Sequence, residues 1–160
     1  MYRLVWQNQA IPSAAEFVLD GNLEELDRLT ALAAQFCREN SLGEGAGFDL
    51  SLALEELFVN AVRHGGCLGM KDAVQVQMRL LDDGVLVEFA DRGVPFDPSL
   101  VPAPDLTASL RDRPAGGFGL HLVRQFMTDF AYRRSGDWNR ITMRRPLPGA
   151  AGKPYVAPDE

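Results

Sequence analysis

A chain of 160 residues, 46% hydrophobic and 24% charged, has the size and balance of one soluble globular domain able to bury a core. A formal net charge of −6 argues against a nucleic-acid partner, which needs a concentrated basic surface, and the Arg133-Arg134 and Arg144-Arg145 pairs read more simply as strand edges. No apolar run reaches the ~20 residues of a membrane span and no leader pattern opens the chain, so no membrane contact and a cytoplasmic location are expected.

Residues 1–15 read as an N-terminal extension, with Arg3 to Gln7 as a short edge strand. Glu16 to Asp20 reads as a strand, and Gly21-Asn22 as a turn and helix cap. From Leu23 to about Asn40, Leu26, Leu29, Leu32, Ala33 and Phe36 recur at helical spacing. Glycines 43, 45 and 47 are expected to break the chain before a second helix from about Asp49 to His64, which ends at Gly65-Gly66. Strands follow at Ala73 to Leu81 and Val85 to Ala90, joined through Asp82-Asp83-Gly84. Arg92 to Ala115 holds five prolines, and a connection this long inside a small domain is either functional or disordered. A third helix is expected from Gly117 to about Met127, then a hairpin of Phe130 to Arg134 and Arg140 to Arg145. Residues 146–160 read as a disordered tail. This order implies an α+β, two-layer sandwich: a mixed, mostly antiparallel sheet with helices on one face.

Three short segments carry the chemistry. In Glu56-Leu-Phe-Val-Asn60, the carboxylate and the carboxamide are four residues apart and project from one helix face, beside an apolar stripe of Leu50, Leu54, Leu57, Phe58 and Ala61. Such a pair suits a solvated surface, or a proton acceptor beside an oxygen ligand for a hard cation. Mg²⁺ keeps several waters, so one protein oxygen plus triphosphate oxygens is enough to hold it. Glu55 points about 100° away from Glu56 and is the poorer candidate. In Asp91-Arg-Gly93-Val-Pro95-Phe96, a strand-end Asp either forms an ordinary turn or accepts the exocyclic amine of adenine, while Gly93 lets backbone approach a ligand. In Gly116-Gly117-Phe-Gly119-Leu120, glycines open a helix whose free N–H groups attract phosphate, although helix packing alone would also select them. The segment lacks the Lys-Ser/Thr ending of a Walker loop and the spacing of a dinucleotide fingerprint. The two histidines, His64 and His121, have no partners at zinc spacing, and Cys37 and Cys67 read as free thiols.

Taken in order, these segments resemble the N, G1 and G2 boxes of the GHKL (histidine kinase-like) ATPase superfamily, and most closely its anti-sigma-factor serine/threonine protein kinase branch. Leu54-Glu55-Glu56-Leu-Phe-Val-Asn60-Ala-Val-Arg-His64-Gly65 resembles the N box, and Asp91 to Pro98 the G1 box, with Pro95 at a position the superfamily fills with glycine. Asp137-Trp-Asn139-Arg140-Ile-Thr142 is similar to the branch's closing hairpin, and the likeness spans residues 16–145. The resemblance implies ATP and Mg²⁺, with Glu56 as general base, Asn60 as metal ligand and Asp91 reading adenine. It implies that Gly93, Gly117, Gly119 and Leu120 shape the pocket, Thr142 sits near the adenine, Arg92 to Ala115 forms a lid and Arg113 contacts the γ-phosphate. The implied partners are a sigma factor and a STAS-type antagonist that the kinase phosphorylates, with a homodimer as a further option. A nucleotide-binding interaction module of a partner-switching system, without kinase activity, would carry the same motifs; an intact Glu56 favours the kinase.

Overall fold

The computed structural model describes residues 3–4, 13–100 and 117–148. Two short strands, β1 (Arg3–Leu4) and β2 (Ala14–Leu19), open the fold, and a single turn of 3₁₀ helix follows at Leu23–Glu25. Asn22 accepts the Glu24 N–H through its side chain, which satisfies one of the free donors at this helical start. The first two helices are α1 (Leu26–Glu39) and α2 (Glu44–Arg63). Next come β3 (Val74–Leu81) and β4 (Gly84–Asp91), then α3 (Gly117–Phe126), β5 (Thr128–Ser135) and β6 (Trp138–Pro146).

The six strands form one sheet in the order β1-β2-β3-β4-β6-β5, and every pairing is antiparallel. Alternation along the strands sends Phe17, Leu19, Val74, Val76, Met78, Val87, Phe89, Ile141 and Met143 into one core. The helices supply Leu29, Phe36, Leu50, Leu54, Phe58, Leu120 and Val123 to the same core. The opposite face carries Glu16, Gln77, Glu88 and Arg140, including a Glu16–Gln77 hydrogen bond and an Arg140–Glu88 ion pair at 2.5 Å. This is the expected α+β sandwich, with the sheet wholly antiparallel rather than mixed.

The second helix departs from expectation by starting at Glu44 instead of near Asp49. Gly45 faces open space and a Cβ at Gly47 would make only ordinary contact with Cys37 on α1 at 3.8 Å, so packing demands neither glycine; the helix runs through them with Ala46 and Leu50 buried on its inner side. The helix ends where the sequence places its stop, with Gly66 in the left-handed region at φ +80°. The closing hairpin has a two-residue turn at Gly136–Asp137, where Gly136 at φ +57° fits the twist of the strands.

Candidate functional site

Helix α2 runs Glu56 and Asn60 along one side and delivers its C-terminus to the end of β4. The Gly65 carbonyl accepts the Val94 N–H at 2.8 Å, which joins the end of α2 to the turn that follows Asp91. Gly93 is required at that junction: a Cβ there would lie 2.5 Å from the Gly65 oxygen and 2.8 Å from Asp91 Oδ1. The first two motifs therefore meet through backbone.

The third motif meets the first through a side chain. A Cβ on Gly119 would lie 1.9 Å from Glu56 Oε2, so the Glu56 carboxylate rests against the first turn of α3. Gly117 is the first residue of that helix. Leu120 is buried in the core beside Val123, where it anchors α3. Burial, with the neighbouring Glu55 charge, raises the Glu56 pKa above its ordinary 4.5.

Asn60 Nδ2 is buried and has no hydrogen-bond partner among the described residues. A sealed, unpaired amide costs about 1–3 kcal/mol, so this position is one a ligand would relieve. The two ends of a carboxamide have nearly the same shape, and turning Asn60 would place its oxygen at the unsatisfied position. A single amide oxygen fits Mg²⁺ carried in by phosphates and unfits a cation needing an all-protein cage. No cluster of three or more His, Cys, Asp or Glu side chains suited to a metal occurs among the described residues.

Asp91 is buried at 7% exposure, and its Oδ1 accepts the Gly93 N–H and Asn139 Nδ2, each at 2.8 Å. The Cys67 thiol lies 3.9 Å from the same oxygen. Burial raises the Asp91 pKa, opposed by the Asn139 and Gly93 hydrogen bonds and then by the Arg134 charge. Burial and the Asp91 charge push the Cys67 thiol up to about 11, so it is inert as a nucleophile at neutral pH. Saturating Oδ1 leaves Oδ2 as the atom able to accept from a ligand.

Asn139 is the site residue the sequence reading missed. It is 2% exposed and faces Asp91 directly in the β4–β6 register. Thr142, three residues further along β6, points to the other side of the sheet and pairs with Glu88. The odd spacing between positions 139 and 142 is the signal that separates them. Thr142 is therefore not brought to the site. Arg113, Gly116 and most of the expected lid lie outside the described residues.

With this geometry in view, residues 19–145 match the histidine kinase-like ATPase domain. The chain belongs to that family. It is 35% identical over 96 residues to the serine/threonine-protein kinase BtrW of Bordetella bronchiseptica, a match covering 60% of this chain and 68% of that protein. Its fold matches the crystal structure of the RsbU and RsbW domains of Rv1364c from Mycobacterium tuberculosis, with a TM-score of 0.61 and 17% identity. That match covers 86% of this chain, which spans only 33% of the solved one. No described helix is long and apolar enough to cross a membrane.

Proposed function

We propose that the protein is an ATP-dependent serine/threonine protein kinase that acts as an anti-sigma regulatory factor and phosphorylates a STAS-type antagonist. The observation that carries this reading is the buried Asn60 Nδ2, without a partner among the described residues and one turn from Glu56, on a helix tied to both the Asp91 turn and the glycine-rich start of α3. Kinship with a protein named as a serine/threonine kinase supports the reaction type.

On this reading Asp91 accepts the adenine amine through Oδ2, and the backbone at the opening of α3 receives phosphate oxygens. Asn60 would hold Mg²⁺, which when bound with ATP supplies positive charge against the phosphates. The partner's serine or threonine hydroxyl attacks the γ-phosphorus, the bond to the β–γ bridging oxygen breaks, and ADP leaves. Glu56 accepts the hydroxyl proton. Its raised pKa suits that task, because a more basic carboxylate holds the accepted proton more tightly. Positioning and charge supply most of the rate, as is general for phosphoryl transfer.

Calorimetric titration of the protein with ATP, with and without Mg²⁺, tests the site. Magnesium-dependent binding that weakens in Asn60→Ala supports it; no binding under any of these conditions overturns it. Transfer of phosphate from ATP to a STAS-domain protein, lost in Glu56→Ala while ATP binding persists, tests the reaction.

A further inference from the structure

Asn139 uses all of its hydrogen-bonding capacity. Nδ2 donates to Asp91 Oδ1 at 2.8 Å and to the Val94 carbonyl at 2.9 Å. Its Oδ1 accepts the Tyr132 hydroxyl and Arg134 Nη1, each at 2.9 Å. An amide carries two donor hydrogens and two acceptor lone pairs, so every one is engaged. Turning the amide over would set Nδ2 against two donors and Oδ1 against a carbonyl and a carboxylate. All four partners fix which end of Asn139 faces Asp91, and Tyr132 and Arg134 are the two that hold its oxygen.

Arg134 reaches further. The same Nη1 donates to the Gly93 carbonyl at 2.8 Å, and Nε donates to the Gly136 carbonyl at 3.0 Å. Arg92, beside Gly93, lies 4.9 Å over the Trp138 ring, a second tie between the turn after β4 and the tip of the β5–β6 hairpin. Neither Tyr132 nor Arg134 belongs to the three motifs, and both project from the edge strand of the sheet.

We infer that Arg134, acting with Tyr132 through Asn139, is a positioning residue that aims Asp91 Oδ2 at the base, so that the edge hairpin sets purine selectivity. This rests on the proposed reading of Asp91 as the adenine acceptor. Without Arg134, the Gly93 carbonyl and one Asn139 lone pair lose their donor, so both groups that hold Asp91 Oδ1, the Asn139 amide and the Gly93 turn, lose a tie that fixes their position. The carboxylate is then held less firmly, and Oδ2 drifts from the line of the amine.

The test compares binding of ATP with inosine triphosphate, which carries a carbonyl in place of the 6-amino group, by Mg²⁺-containing calorimetry on the full chain. The wild type is expected to prefer ATP. In Arg134→Ala the ATP-to-inosine preference should fall about tenfold, the value of one hydrogen bond to a charged group. Arg134→Lys, which keeps a cationic donor on a side chain one atom shorter, should restore part of it. Tyr132→Phe removes one donor to Asn139 and should lower the preference by a smaller factor, which keeps the test alive if Arg134→Ala does not fold. A merely structural role predicts that both nucleotides weaken equally, and an unchanged preference in Arg134→Ala, or in Tyr132→Phe where the former does not fold, overturns the inference. A wild type that binds both nucleotides alike instead removes the base-reading role of Asp91, and the inference with it.

Discussion

Glu56 and Gly119 are in such close approach that one methyl group on Gly119 would displace the carboxylate, its Cβ falling 1.9 Å from Oε2 and 2.0 Å from Cδ. The atoms in the way are the far end of a flexible side chain, so Gly119→Ala has a cheap route to relief: Glu56 swings off the start of α3. The fold should survive and the reaction should not. We expect a melting temperature within a few degrees of wild type, by the ordinary scale of a surface-adjacent change, and phosphotransfer reduced by about 10²–10⁴-fold, as for a misplaced general base. Melting and single-turnover transfer measured side by side would check it; full activity in Gly119→Ala would mean that Glu56 acts from another position.

The acid limb of the activity profile offers a second check. Burial raises the Glu56 pKa from 4.5, so in the folded protein its proton is held more tightly than in the unfolded chain. The sign follows: the ionised carboxylate slightly opposes folding above that pKa, and the opposition fades as the pH falls through it. Transfer should therefore decline at a higher pH than an ordinary glutamate would give. Glu56→Gln should abolish transfer without lowering the melting temperature at pH 7.

Much of this site is legible in the sequence, for reasons of period. Helical spacing alone puts Glu56 and Asn60 on one face, and the two glycines after His64 stop that helix at the Asp91 turn. Asn139 is not legible in the same way, because its role depends on which β4 residue it faces. Only the pairing of the two strands supplies that register, Asp91 opposite Asn139. Thr142 illustrates the complementary failure: a motif position carried over without its strand parity lands on the solvent side, beside Glu88. The early start of α2 was hidden by Gly45 and Gly47, whose weak helix propensity is overridden by the burial of Ala46 and Leu50 on the same helix.

Asp91→Asn separates recognition from stability. The folded-state pKa of Asp91 is raised, chiefly by burial, so its charge detracts from stability at neutral pH and does so less as the pH falls through that value. An asparagine can keep its Oδ1 facing Gly93 N–H and Asn139 Nδ2 while presenting an amide where Oδ2 stood. The melting temperature at pH 7 should match or exceed that of wild type. ATP affinity should fall by about tenfold or more, because a donor then faces the donor amine. Undiminished ATP binding in this variant would assign the adenine to another residue.

Two glycines, Gly93 and Gly136, should respond unequally to a side chain. Gly93 needs the absence of a Cβ for space: the atom would meet the Gly65 backbone oxygen at 2.5 Å, and backbone cannot swing aside as a side chain does. Relief requires pulling the Asp91 turn away from the end of α2, which breaks the Val94-to-Gly65 hydrogen bond. Overpacking of this kind costs about 1–3 kcal/mol, or roughly 2–12 °C of melting temperature for a domain of this size, and Gly93→Ala should also weaken ATP binding. Gly136 has nothing within 4 Å of a Cβ and is special only for its φ of +57°. Asparagine tolerates that region, so Gly136→Asn should cost less than about 1 kcal/mol and leave ATP binding intact. Thermal melts and ATP titrations of the two variants decide the matter: equal losses in both would show that the Gly65–Gly93 junction carries no special load in the site.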